Sequence, residues 1–347
     1  TDNTKNLHNF RAYFISVMRK ALFFVFIISL IFCSCNQKQE QDAHKASGKI
    51  NVISVIIEEK LWNGEVGDSV RNKFASPVIG LPQEEPLFTI NQYPSKFLEG
   101  YVTTSRNILI VNRGKSSDFK IEQSTNEITQ NRFYISGKTA TAIVEEIEEH
   151  TPEIIEKIRA TEIKENQRLI DTALINTEKI NKKFKIDIHI PKGYNYVLTR
   201  KKFLWLKKEI PSGNNSILIY EVPFTCLKKA PSVIHNIIKM RDSIGRLYIH
   251  GTSPRTRMVT EDSYAPYLFN IKIDGLEAFE TKGTWQLQND YMSGPFINYS
   301  ILDKKNNRIL VLEGFCYAPS KEKRDLMFEL EAIVKSVKFE NAKKTKP

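Results

Sequence analysis

Cysteine is scarce in this chain, four residues in 347, which excludes a fold built on disulfides. Only one apolar run is long enough to concern a membrane, which excludes a polytopic membrane protein. No basic stripe with interleaved aromatics occurs, so the net charge of +11, from 51 basic and 40 acidic residues, does not make a nucleic-acid surface. No complete phosphate loop, zinc-ligand spacing or triad motif is present, and no cofactor is expected. What is there is an ordinary globular balance, 41% hydrophobic and 26% charged, in a length that suits two domains or one large one.

The single apolar run lies near the amino terminus. From Met18 the chain reads Met18-Arg19-Lys20, then twelve uncharged residues from Ala21 to Phe32, then Cys33-Ser34-Cys35-Asn36. A basic start, a short apolar stretch and small residues at its end make a secretory signal peptide. A spanning helix needs ~20 apolar residues, so this one is short for a permanent anchor. The ending resembles the bacterial lipobox, in which a small residue precedes a cysteine that is lipidated and becomes the new first residue. Cys35 fits that role because Ser34 precedes it, whereas Cys33 follows bulky Phe32. Met18 alone begins a complete signal, so residues 1–17 read as an upstream extension. Residues 1–34 carry Lys5, Arg11, Arg19, Lys20 and Asp2, a net of +3, which leaves +8 on the processed chain.

The organisation that follows is a lipidated cysteine and flexible tether over 35–48, two halves over 49–182 and 183–341, and a basic tail over 342–347. The β-branched run Ile50 to Ile57 reads as a buried strand, and a short helix is expected from Gly67 to Ala75, capped by Asp68 or Ser69. Between Thr139 and Lys182 the apolar period is helical, with Thr151-Pro152-Glu153 restarting it, so two helices in series are expected to join the halves. Phe184 to Ile190 alternates strictly and predicts a strand; Phe203–Leu206, Ser216–Tyr220, Phe279–Trp285, Phe296–Leu302 and Arg308–Tyr317 predict more. Helices are expected after Ala230-Pro231-Ser232 and after Ala318-Pro319-Ser320. Asn215-Ser216-Ile217-Leu218-Ile219-Tyr220-Glu221 is echoed by Asn307-Arg308-Ile309-Leu310-Val311-Leu312-Glu313, each leading to a cysteine, Ala-Pro-Ser and a helix. Hairpins of strands with helices after them imply an α+β fold, mostly antiparallel sheet packed by helices, with a long helical segment joining two halves.

Leu81-Pro82-Gln83-Glu84-Glu85-Pro86-Leu87-Phe88, Arg106-Asn107-Ile108-Leu109, Gly283-Thr284-Trp285 and Asn289-Asp290-Tyr291-Met292-Ser293-Gly294-Pro295-Phe296 carry a family resemblance. Together they resemble a lipoprotein family of Bacteroidetes-type bacteria known only as a domain of unknown function. The resemblance covers most of residues 50–340. It implies export and lipidation and supplies no activity.

Few side-chain groupings carry chemistry. Ser136-Gly137-Lys138-Thr139 sits where a phosphate loop belongs, but Arg132 stands where that loop needs its first glycine, so a capped strand-to-helix turn is favoured. Glu146 and His150, one helical turn apart, lack a second ligand pair and read as part of a solvated acidic face. Cys226 and Cys316 occupy matching places in the echoed segments, as two buried thiols or as a bridge. The segment from Trp285 to Phe296 reads as a core hairpin, with Asp290 as the residue there that could contact a ligand or partner.

Three readings follow from this. The preferred one is a lipid-anchored binding or structural module of a bacterial cell envelope, held on the outer membrane through Cys35 and able to meet another envelope protein. The alternative is an envelope hydrolase whose site assembles only in three dimensions, which requires a polar pocket holding Asp290 or a histidine beside a serine or acid. An assembly partner of another envelope protein would instead expose a large apolar patch.

Overall fold

The computed structural model describes residues 46–97, 104–125, 128–227 and 232–340. Cys35, the signal-like run before it, most of the tether and the basic tail lie outside the described residues.

The first half is built on a five-stranded sheet. Its strands are β1 (Val52–Ile57), β2 (Thr89–Tyr93), β3 (Asn107–Arg113), β4 (Asp118–Ser124) and β5 (Gln130–Gly137), in the order β2-β1-β3-β5-β4. β1 pairs in parallel with β2 and β3, β3 pairs in parallel with β5, and β4 returns antiparallel against β5. Parallel neighbours need both faces covered, which explains why β1 and β3 are near-continuous apolar runs and not alternating ones. One face is covered by α1 (Glu59–Trp62), α2 (Glu65–Phe74) and α3 (Ala140–Ile170), which bring Val70, Phe74, Ile143, Ile147, Ile154 and Ile158 onto Ile53, Val55, Leu109 and Phe133. α2 begins at Glu65 after Gly64, ahead of the expected Asp68 or Ser69 cap; Glu65 and Asp68 then sit in its first turn, where the helix dipole favours acids.

α3 corrects the expectation of two helices. It runs unbroken through Pro152 for 31 residues, about 46 Å at the α-helical rise. Ile147 and Ile154, on either side of the proline, are both fully buried, so a break there would strip apolar surface from the sheet. The Thr151 hydroxyl donates to the Ile147 carbonyl at 2.6 Å within the same turn. Farther along, Ile163 and Ile170 enter the core of the second half, so one helix carries both cores.

The second half is a larger, wholly antiparallel sheet. Its strands are β7 (Asn195–Arg200), β8 (Phe203–Ile210), β9 (Gly213–Val222), β10 (Arg257–Thr260), β11 (Tyr267–Ile273), β12 (Leu276–Gln288), β13 (Ser293–Asp303) and β14 (Arg308–Tyr317). Their order is β10-β12-β13-β14-β9-β8-β7, with β11 on the other stretch of β12's outer edge. α5 (Val233–Tyr248) packs Ile237 and Met240 on one face, over Leu218, Tyr220, Val311 and Phe315. α6 (Arg324–Lys335), α4 (Glu178–Phe184) and the end of α3 cover the other, with Leu330, Ile333 and Phe184 over Ile217, Ile219, Leu310 and Leu312. The echoed segments are β9 and β14, antiparallel neighbours with Ile219 opposite Leu312, and the helices that follow them cover opposite faces.

The expected strand from Phe184 to Ile190 is shorter than its alternation suggests. Phe184 ends α4, Lys185 turns left-handed at φ 56°, and only β6 (Ile186–Asp187) pairs, with β15 (Lys338–Phe339). Ile186, Ile188 and Ile190 are still buried, so the alternation reports an extended chain inserted in the core without a ladder. The architecture is α+β, with most strand pairing antiparallel and a long helix between two halves.

Candidate functional site

The two halves meet at the amino-terminal end of α6. That helix has no side-chain cap of its own, and Glu85 from the first half supplies one. Both Glu85 carboxylate oxygens accept from the Lys323 amide at 2.8 Å, and one also accepts from the Arg324 amide at 2.7 Å. The orphan donors and the positive end of the helix dipole are thereby met by a carboxylate more than two hundred residues away in sequence. Arg324 answers by donating to the Pro86 carbonyl and to Thr89 Oγ1, both at 3.1 Å.

Beside this joint the loop Ser76–Leu81 reaches from α2 onto β12. Its base is held by Val78 N–H to the Glu85 carbonyl at 2.9 Å and Leu87 N–H to the Ser76 carbonyl at 2.8 Å. At its tip Gly80 has φ +88°, and a Cβ there would lie 2.9 Å from the Lys282 Cβ, so only glycine permits this approach. The loop separates two hollows. The outer, about 610 Å³, runs along Ser263–Tyr267 and is bordered by exposed Tyr264 and Tyr267. The inner, about 260 Å³, is a cleft between the halves.

The inner cleft has apolar walls and a charged corner. Leu81, Pro295, Met327 and Phe328 contribute the walls; Arg159 from α3, Lys282 from β12 and Glu331 from α6 contribute the charge. Arg159 Nη2 donates to Glu331 at 2.6 Å while its guanidinium lies 5.2 Å from the Phe328 ring centre. Lys335 donates to the other Glu331 oxygen at 2.6 Å. Lys282 lies 3.3 Å from Glu280, which accepts from the Tyr299 hydroxyl at 2.7 Å. Burial works to raise the Glu331 carboxyl, but Arg159, Lys282 and Lys335 outweigh it and hold the group well below the usual carboxylate range. Burial, with Glu331 and Glu280 nearby, pushes the Tyr299 hydroxyl well up. Arg324 also lines the cleft and pairs with Asp325 at 2.9 Å, so four cations stand against three carboxylates, leaving one positive charge in excess. Asn51 stands in the same wall with its Oδ1 buried and accepting no hydrogen bond among the described residues. No histidine or cysteine lines the cleft, and the Ser76 hydroxyl is donated to the Lys73 carbonyl. The arrangement can hold an anion.

Of the residues singled out from sequence, Phe296 lines the cleft, and the candidates for chemistry lie elsewhere. Asp290 is in the two-strand turn between β12 and β13, where its Oδ1 accepts from the Tyr291 amide at 2.6 Å, and it does not line the cleft. Trp285 and Phe296 are buried hairpin residues, at 2% and 1% exposure, with Trp285 opposite Gly294. Thr139 caps α3 by accepting from the Ala142 amide at 3.1 Å, so Ser136–Thr139 is a strand-to-helix turn. His150 stacks on Phe119 at 3.8 Å with Nε2 3.4 Å from Glu146, and no cluster of three metal-ligating side chains occurs among the described residues. Cys226 and Cys316 are free thiols, and burial raises that of Cys316 to about 12. His189 Nδ1 meets Asp171 at 2.6 Å, but the nearby Ser336 hydroxyl is donated to the Ile333 carbonyl and its oxygen accepts from the His189 backbone amide. Sequence reasoning missed the cleft as a site because its residues come from widely separate segments, and the family motifs that hold Leu81 and Pro295 carry no chemistry.

A second buried polar centre lies in the first half and is fully satisfied. Glu162, with no exposure, accepts from Arg106 Nε and Nη2 at 2.9 Å and from Asn107 Nδ2 and the Asn51 amide at 2.8 Å. With every partner taken, it is a structural tie between α3 and the starts of β1 and β3.

Residues 173–336 match the family model of a domain of unknown function (DUF4837), and residues 46–171 match that of another (DUF8532). Both halves are therefore covered by models of uncharacterised domains. No curated protein matches the chain. Among solved structures, LpqN of Mycobacterium tuberculosis, described as involved in cell envelope biogenesis, is 11% identical over 44% of this chain and 81% of its own, with a TM-score of 0.27. The Ran-binding protein Mog1p of Saccharomyces cerevisiae is 9% identical over 44% and 89%, at 0.28. The PsbP protein of Synechocystis sp. PCC 6803 is 11% identical over 45% and 87%, at 0.29. At such TM-scores the likenesses carry no argument about function.

Proposed function

We propose that this chain is a lipid-anchored module of a bacterial cell envelope that binds a ligand in the cleft between its halves. The observation that carries the binding reading is the cleft itself, apolar on its walls, with one uncompensated cation at the corner shared by Arg159, Lys282 and Glu331. The anchoring reading rests on the run from Met18 to Cys35 and on the resemblance to lipoproteins of Bacteroidetes-type bacteria. Acyl chains on Cys35, each methylene contributing ~0.8 kcal/mol on burial, would hold the chain on a membrane through a polar tether. No helix among the described residues is long and apolar enough to cross a membrane. Asn36 after the cysteine is not an acidic retention signal, which favours the outer membrane. An envelope protein is the natural macromolecular partner, with no role for nucleic acid.

The anchor is tested by feeding cells a palmitate analogue. Wild type and Cys33→Ala should take the label, and Cys35→Ala should lose it. Label retained in Cys35→Ala would remove the cysteine from the proposal.

A further inference from the structure

Which ligand the cleft takes follows from what its walls leave unmet, an inference that rests on reading the cleft as a binding site. Arg159 has five N–H groups, and among the described residues its one hydrogen-bond acceptor is Glu331. The guanidinium lies 5.2 Å from the Phe328 ring centre and is about a quarter exposed, so its remaining donors are partly shielded from water. Lys282 is half-buried and bears on Glu280 at 3.3 Å, longer than a good charge-assisted hydrogen bond. Glu331 is already served by two direct cation contacts and needs no further donor. The local demand is therefore for one more negative charge that Arg159 and Lys282 can share.

The rest of the cleft selects against a small hydrated anion. Leu81, Pro295, Met327 and Phe328 offer apolar wall, and covering it is favourable at ~25 cal/mol per Å² of surface removed from water. A dianionic phosphate would exceed the single surplus charge and would leave that wall wet. A carboxylate matches a guanidinium fork in shape and carries one charge. We propose that the cleft binds a monocarboxylate amphiphile, its carboxylate between Arg159 and Lys282 and its apolar tail against Leu81, Met327 and Phe328.

The test uses the full chain in its own membranes and a photoreactive, alkyne-tagged decanoate. Peptide mapping should place the adduct within Ser76–Leu81 or Arg324–Lys335. Unlabelled decanoate should compete, and decanol, with the same tail and no charge, should not. Lys282→Gln should reduce labelling roughly tenfold, the effect of losing one charge-assisted contact, and Lys282→Arg should restore it. Limited proteolysis of each variant checks that the fold is kept. Equal competition by decanol, or full labelling of Lys282→Gln, would overturn the carboxylate assignment and leave the cleft as a site for neutral amphiphiles. Absence of any adduct in the cleft would overturn the ligand-binding reading with it, while the anchor at Cys35 is judged by its own label.

Discussion

Replacing Trp285 by alanine sets the packing of the long hairpin against a contact surface in the same segment. The indole is 2% exposed and meets Phe315 edge-on at 5.4 Å between ring centres. Its Nε1 donates to the Cys316 carbonyl at 3.2 Å. A buried indole removes ~150–250 Å² from water, which at ~25 cal/mol per Å² is about 4–6 kcal/mol, and large-to-alanine core changes cost ~3–5 kcal/mol in practice. The site cannot collapse easily, because Trp285 is flanked on its ladder by Thr260 and Gly294, and a Cβ on Gly294 would meet the Cys316 carbonyl oxygen at 2.1 Å. The orphaned carbonyl adds ~1 kcal/mol. The expected loss is therefore at the upper end, about 4–5 kcal/mol, read as a shift in the urea midpoint by circular dichroism. The companion Asp290→Asn should change stability by no more than ~0.5 kcal/mol, because asparagine's carbonyl oxygen can still accept from the Tyr291 amide. A Trp285→Ala protein that unfolds with wild type would refute the core assignment. Asp290→Asn with unchanged melting and lost partner capture would instead return the turn to the list of contact residues.

Other perturbations test the joints of the molecule. Glu162→Gln leaves the buried Arg106 guanidinium without its counter-charge and should cost ~3–5 kcal/mol in denaturant unfolding; a near-neutral result would mean that Arg106 finds another acceptor. Glu85→Ala removes the only side-chain cap on α6 among the described residues and should cost ~1–2 kcal/mol, with unchanged midpoint counting against the cross-half cap. Burial raises the Glu331 carboxyl but three cations outweigh it, so its folded pKa is depressed. Its ionised form therefore stabilises the fold fully above the unfolded value, about 4.3, and that contribution is lost as pH falls below it. Wild type should lose stability more steeply than Glu331→Gln below about pH 5, and parallel acid limbs would contradict the assigned charge balance.

Much of the fold was legible from local patterning. Burial of one helix or strand face leaves a period in the sequence, and the runs at Val52–Ile57, Arg308–Tyr317 and Val233–Tyr248 carried theirs clearly. Local rules failed where packing outbid them. Pro152 argued for a break, yet a continuous apolar stripe from Ile143 to Ile158 on the sheet keeps α3 helical through it. Alternation argued for a strand at Phe184–Ile190, yet alternation records only which side chains face the core, and here no neighbouring strand offers a full ladder.

The sequence by itself determined the α+β class, the echo that became two central strands, the hairpin around Trp285 and the signal-like run ending at Cys35, because each is written in contiguous residues. Tertiary structure alone decided the cleft. Its loop, its arginine, its lysine and its glutamate come from positions 76–81, 159, 282 and 331, and each looks in sequence like an ordinary turn or a solvated charge. Only the docking of α6 under Glu85 and the passage of α3 from one core into the other bring them within a few ångströms. Charge becomes informative there because the surrounding apolar walls lower the local screening, and the proposed preference for an anion rests on that one-charge imbalance, which water would otherwise hide.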